Sequence, residues 1–314
     1  MSQPSHHHDA VFRRVLGEPA NAASQLRSVF PAELVARLDL DQLTRVPASF
    51  VDTDLSWRHS DLLFSAPLDG SESFIYVLVE HQSRTDPTMP FRMLQYVVRI
   101  WDRYLKDHHG ATRLPPVLPL VVHHNRRPWT GPTDLADLLD LDADAWDAVA
   151  AYQPRFRFLL DDLTLIDPQD LRGRPLTPSA RMALLLLRIA SGNTHLADDL
   201  RPWADDLRAI LETSGGLEDF RALVTYIELA GESRPEELHE LFSQLGPTAE
   251  EAYMTTAEML RAEALAHALE GQLSEKFGPL PHATVVAVRG ASPAQLATWL
   301  SRVLKAKTLD EVLR

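Results

Sequence analysis

Arg58-His59-Ser60-Asp61-Leu62-Leu63-Phe64-Ser65-Ala66-Pro67-Leu68-Asp69-Gly70-Ser71-Glu72-Ser73-Phe74-Ile75-Tyr76-Val77-Leu78-Val79-Glu80-His81-Gln82-Ser83 reads as one β-hairpin. Residues 58–65 are expected as the first strand, and Asp69-Gly70-Ser71-Glu72 carries the turn chemistry. Residues 74–79 form the second strand, β-branched and apolar on both faces, as suits a central buried strand. That strand ends in Glu80-His81-Gln82. Strand side chains alternate, so Glu80 and Gln82 share a face and His81 takes the other. With the loop centred on Gly70-Ser71, Asp61 falls opposite Glu80, with Cβ atoms roughly 5 Å apart. A slip of two in the loop leaves them diagonal neighbours. Two hard oxygen ligands at that separation suit Mg²⁺, which keeps several waters for chemistry. The competing reading makes them two acids at strand ends that meet water. Against it, Glu80 follows directly on six apolar residues. Like charges facing across a ladder also destabilise it unless a cation or proton intervenes.

Further pieces flank the hairpin in a fixed order: His8-Asp9-Ala10-Val11-Phe12-Arg13, Phe30-Pro31-Ala32-Glu33-Leu34, Ser49-Phe50-Val51-Asp52, and Phe91-Arg92-Met93-Leu94-Gln95-Tyr96. With Ser60-Asp61-Leu62-Leu63-Phe64, Tyr76-Val77-Leu78-Val79-Glu80-His81-Gln82-Ser83 and Arg126-Arg127-Pro128-Trp129, they make residues 8 to 165 resemble the recombination-promoting nuclease (Rpn, YhgA-like transposase) family. The spacing Asp61…Glu80-x-Gln82 is similar to the PD-(D/E)XK nuclease signature, with Gln82 where Lys usually stands. His123-His124-Asn125 departs from the usual aromatic-x-Gly run. The resemblance implies an α/β fold with a restriction-endonuclease-like αβββαβ core and a mixed sheet. It implies a metal-dependent DNA endonuclease, with Asp61 and Glu80 on Mg²⁺ (Mn²⁺ or Ca²⁺ as alternatives) and Gln82 and Arg92 in the chemistry. Asp9, Tyr96 and Asp162 stand where an outer part of the site would lie.

At 314 residues and 45% apolar, the chain can bury a full core and has room for two or three units. No run of about 18 apolar residues and no charged-then-apolar leader is present, so no membrane role is expected. With zero cysteines, disulfides and thiolate metal sites are excluded, which fits a cytoplasmic protein. The net charge of −13 argues against nucleic acid unless it is localised. It is localised: residues 1–130 carry 14 basic and 14 acidic side chains, and residues 131–314 carry 17 and 30. The nuclease-like part therefore does not repel DNA overall, and binding is expected on one face and strongly salt-dependent.

In chain order, residues 9–16 are expected as a short amphipathic helix. Asp9 at its start reads either as an N-cap or as an acid beside the metal. Residues 44–50 look like the first strand. A helix over 89–106 is expected to bury Phe91, Leu94, Val98, Trp101 and Leu105. Arg92, Gln95, Arg99 and Arg103 lie on another face, either solvated or touching phosphates. Residues 117–122 form another buried strand, ending in His123-His124. Adjacent strand residues point to opposite faces, so the two histidines do not readily hold one ion together. A further strand over 156–164 ends in acids, and Asp162 reads as a loop cap or as a site acid.

After Pro168 the chain turns helical. Gly231-Glu232-Ser233-Arg234-Pro235 and Gly246-Pro247-Thr248 mark hinges. A long helix over 256–276 carries Met259, Ala262, Ala266, Leu269 and Leu273 along one side. Residues 268–314 resemble the DUF4351 module. The expected division is a nuclease-like domain over 1–165, a helical extension over 166–249 and a helical C-terminal module over 250–314. The module's use is either helix pairing with another copy, which makes the chain a homo-oligomer, or with a partner, or an intrachain cap over the nuclease core. No phosphate-cradling Gly-rich loop or zinc spacing appears, so no organic cofactor is expected. Two function classes follow: a Mg²⁺-dependent DNA endonuclease, or a nuclease-derived interaction scaffold with feeble catalysis.

Overall fold

The computed structural model describes residues 5–47, 62–80 and 86–313, with the backbone alone at 5–7, 76–80 and 143. Compactness divides the chain into two units, Met1–Ser233 and Arg234–Arg314. The first opens with helices α1 (Ser5–Val15), α2 (Pro19–Val29) and α3 (Ala32–Val35). Strands β1 (Thr44–Val46), β2 (Leu62–Leu68) and β3 (Ser71–Glu80) follow, then α4 (Met89–Asp107), β4 (Val117–His123), α5 (Ala143–Val149) and β5 (Leu159–Asp162). The unit closes with α6 (Asp170–Gly173), α7 (Pro178–Ile189), α8 (Leu196–Leu200), α9 (Ala204–Leu211) and α10 (Gly216–Ala230).

The five strands form one mixed sheet in the order β1-β2-β3-β4-β5. β2 pairs antiparallel with both β1 and β3, and β4 and β5 join parallel to β3. A tight turn suffices between antiparallel neighbours, whereas the parallel pair β3 and β4 needs a crossover, which α4 supplies. The turn is shorter than the sequence suggests. Asp69 (φ 48°) and Gly70 (φ 79°) both adopt left-handed backbone, the conformation of a two-residue type I′ hairpin. Asp69 accepts from Arg37 Nε at 2.8 Å, and that bond holds its carboxyl below the usual carboxylate range. Ser71 and Glu72 are therefore already in β3. Leu62 pairs with Val77, two positions from the expected partner Val79. Residues 48–50 of the expected first strand and 58–61 of the expected hairpin lie outside the described residues.

The face of the sheet under α4 is apolar. Leu63, Phe74, Val121 and Phe158 pack there with Met89, Met93, Tyr96 and Ile100 of the helix. This corrects the expected apolar stripe: Phe91 is 51% exposed, Val98 42% and Leu105 41%. The helix carries two stripes at helical spacing, and the one with Met, Tyr and Ile faces the sheet.

On the other side, Gln25 of α2 reaches Asp161 of β5 at 3.3 Å. Helix α7 packs against α1 and α2, and α10 packs against α1 and α7. From Met182 to Leu187 every residue of α7 is buried, as befits a helix surrounded by others. Compactness therefore does not divide the chain at residue 165: the helices after β5 share a core with α1 and α2.

The second unit holds α11 (Pro235–Leu245), α12 (Pro247–Phe277), α13 (His282–Arg289), α14 (Pro293–Val303) and α15 (Leu309–Leu313). Gly246 (φ 118°) turns the chain between α11 and α12. The Phe242 and Tyr253 rings stack there at 4.9 Å. Further along, Ala266, Leu269 and Leu273 of α12 are buried against Val288, Leu296, Trp299, Val303 and Val312. The expected stripe is thus mostly buried within the unit, except Met259, which is half exposed. Among the described residues no helix is long and apolar enough to cross a membrane.

Candidate active site

Three parallel strands end level. In the ladder, Glu80 of β3 pairs with His123 of β4, and His123 pairs with Asp162 of β5. In-register residues of a parallel ladder share a face, and β-strand neighbours lie about 4.8 Å apart. These three positions form a row at the carboxyl ends of the parallel strands, where open α/β sheets place their sites. By alternation it is the face that carries Phe74 and Val121, under α4.

His123 is fully buried. Its Nε2 lies 3.1 Å from the Arg127 carbonyl. A carbonyl only accepts, so Nε2 carries the proton and Nδ1 presents a lone pair. Nδ1 is buried and has no hydrogen-bond partner among the described residues. An unsatisfied buried acceptor costs roughly 1–3 kcal/mol. The ring is held edge-on to Trp129, with centroids 5.3 Å apart.

Asp162 is already occupied. One oxygen accepts from Trp129 N at 2.8 Å. The other accepts from Thr164 N at 3.0 Å and Thr164 Oγ1 at 2.7 Å. Of its two readings, this geometry is that of a cap on the short turn Leu163–Leu165. Arg92 is largely buried and donates from Nη1 to Asp86 at 2.9 Å. Asp86 also accepts from Thr88 N and Oγ1, both at 2.8 Å, at the start of α4. Tyr96 is buried in the core beneath the helix.

Asp9 is buried and lies inside α1, beyond the first turn, so it is not the N-cap of that helix. Its neighbour His8 meets Tyr226 Oη at 2.6 Å and packs its ring 4.8 Å from that of His124. Burial pushes the Tyr226 hydroxyl up, away from ionisation. His124 follows His123 and faces the opposite way, so the structure separates the two histidines as alternation requires.

Asp61 and Gln82 lie outside the described residues, and Glu80 is located by its backbone register alone. Among the described residues no three His, Asp or Glu side chains are grouped as a metal site. The structure thus brings the positions of Glu80 and Asp162 into one row with His123 and sets Asp9 on a helix that meets His124.

Sequence reasoning missed the place of His123 in that row. The signal was available: residues 74–79 and 117–122 are both apolar runs of six, each followed by a polar residue. Parallel strands of equal apolar length that end together align their first polar residues. It also missed Asp161, which is 3% exposed. Arg174 donates to it from both Nη atoms at 3.1 Å, pinning the loop after β5 to the sheet.

Comparisons with known proteins bear on the family. A family model described as "Putative transposase, YhgA-like" matches residues 6–218. The recombination-promoting nuclease RpnD of Escherichia coli O157:H7 is 33% identical over 81% of this chain and 93% of its own. RpnA, a recombination-promoting nuclease of Escherichia coli K12, is 32% identical over 83% and 85%. RpnE of the same strain, named an inactive recombination-promoting nuclease-like protein, is 31% identical over 83% and 84%. No solved structure gives a significant match. A family match across the whole sheet-bearing region, with relatives aligned over four-fifths of the chain, shows that it belongs to the YhgA-like transposase family.

Proposed function

We propose that the chain is a Mg²⁺-dependent DNA endonuclease with a PD-(D/E)XK-type core. The observation that carries this reading is the place of Glu80, on the central strand where three parallel strands end together. The names of the nuclease relatives support it. Asp61 and Glu80 would hold the ion. The buried nitrogen of His123 beside Glu80 is a further donor atom suited to such a group. When bound, the ion supplies positive charge at the scissile phosphate and acidifies water. The chain's own residues do the rest. Gln82 orients the attacking water or a phosphate oxygen through its amide. Arg92, fixed to Asp86 at the start of α4, contributes cationic charge to a phosphate that approaches this end of the sheet. DNA is the substrate. Self-association through the C-terminal helices belongs to the same reading, with the exposed Met254, Met259 and Leu304 as its apolar surface.

The competing reading, an interaction scaffold with little catalysis, draws on RpnE, which aligns as fully as the nucleases do. Plasmid nicking separates them. Wild type should nick with Mg²⁺ and not in EDTA. Asp61→Ala and Glu80→Gln should be inactive while keeping the wild-type circular dichroism. Full cleavage in EDTA, or by Glu80→Gln, overturns the metal-dependent reading.

A further inference from the structure

We propose that His123 is a nitrogen ligand of the ion held by Glu80, and that it shifts the site's preference from Mg²⁺ toward Mn²⁺. The proposal rests on the metal-dependent reading above and adds a residue and a selectivity to it. The argument starts with the tautomer. The Arg127 carbonyl, 3.1 Å from Nε2, fixes the proton on that nitrogen and leaves the lone pair on Nδ1. A metal-ligating histidine is held in this way, its second nitrogen donating to a backbone carbonyl or carboxylate.

Nδ1 is buried in a fully enclosed side chain and meets no donor among the described residues. A cation would satisfy that lone pair. The ladder places His123 level with Glu80 on the neighbouring strand, at a spacing of about 4.8 Å that one ion can bridge. The other in-register acid, Asp162, already accepts three hydrogen bonds, from Trp129 N and from Thr164 N and Oγ1. In this row His123 presents a buried donor atom that no described residue uses. His124 cannot share the task, because it faces His8 on the other side of the sheet. Trp129 holds the imidazole edge-on, so little ordering remains for the ion to impose.

The consequence is selectivity. Carboxylates and water suit Mg²⁺, Ca²⁺ and Mn²⁺ alike, whereas imidazole favours transition ions. A site of carboxylates with one imidazole should therefore bind Mn²⁺ more tightly than Mg²⁺.

The test uses the full chain with MnCl₂ and MgCl₂ as probes. Calorimetry should give tighter binding of Mn²⁺. Pulsed electron paramagnetic resonance of the Mn²⁺-loaded protein should show a ¹⁴N coupling. Thirteen histidines are present, so variants assign it. His123→Gln keeps an amide that can donate to the Arg127 carbonyl and lacks an atom at the Nδ1 position; His123→Phe keeps the ring against Trp129. Both should lose the coupling and weaken Mn²⁺ binding by roughly 10- to 100-fold, with Mg²⁺ binding nearly unchanged. Loaded wild type without a ¹⁴N coupling overturns the proposal, and this needs no variant to fold. A coupling that survives in a folded variant also overturns it, while loss of Mn²⁺ binding in Glu80→Gln leaves the metal site standing. Wild type that binds neither ion removes the site and this ligand together.

Discussion

At the scale of single residues, the proposed chemistry turns on Gln82, where the PD-(D/E)XK signature has Lys. An amide donates and accepts hydrogen bonds but carries no charge. If it only positions water, Gln82→Ala should slow nicking roughly 10²-fold with metal affinity unchanged. Gln82→Lys should then recover part of the rate, because an ammonium offsets charge on the attacked phosphate. If Gln82 is instead a ligand through its carbonyl, the Lys variant should lose both ion and activity. Calorimetry beside a nicking assay reads these outcomes. Wild-type cleavage by both variants would show that the motif is misplaced.

Among the secondary-structure elements, α4 shows how burial chooses between two apolar stripes. Met93 is fully buried over the sheet, while Phe91 is half exposed. Met93→Ala should cost about 2–5 kcal/mol, and Phe91→Ser should stay within about 0.5 kcal/mol; urea unfolding of the two variants measures the contrast. In the second unit, Arg289 of α13 donates to Glu270 of α12 from Nε at 2.8 Å and Nη2 at 3.1 Å. That hydrogen bond depresses the Glu270 pKa. A carboxylate more acidic when folded than unfolded stabilises the fold above its unfolded pKa, about 4.3. Its contribution is lost as pH falls through the folded value. Melting of the second unit should therefore weaken more steeply in acid for wild type than for Glu270→Gln, which has no such proton to take up. Thermal scans between pH 6 and pH 3 would show parallel slopes if the pair were idle.

At the scale of the whole molecule, compactness divides the chain after Ser233. Helices α7 and α10 pack on α1, and α7 is buried along most of its length. A chain ending at Ser233 should fold cooperatively and keep the nicking activity of the intact protein. A chain ending at residue 165 should aggregate, because it exposes the face that α7 covers. Circular dichroism and proteolysis distinguish them. Light scattering of the intact chain against the Ser233 truncation tests self-association: the intact chain should be the larger assembly by more than its added mass, and monomers in both remove that part of the reading.

Local pattern was enough to announce the strand before Glu80, a turn within Asp69-Gly70-Ser71-Glu72, the two β-strands that end in polar residues and the long α12. These follow from alternation, turn residues and helical spacing, which act over a few neighbours. The family was legible as well, through the order of short motifs from His8 to Trp129. The register was not, because Asp69-Gly70 and Gly70-Ser71 are both plausible turn centres and one residue of difference moves the pairing by two. Nor could a single helix reveal which of its two stripes would be covered. The row of Glu80, His123 and Asp162 was decided by the tertiary structure, since parallel strands far apart in the chain align only when a crossover helix and a shared core set their ends level. The buried Nδ1 of His123 comes from the same cause: its exposure is set by Trp129, the loop through Arg127 and the strands on either side, none of which its own neighbours in sequence dictate.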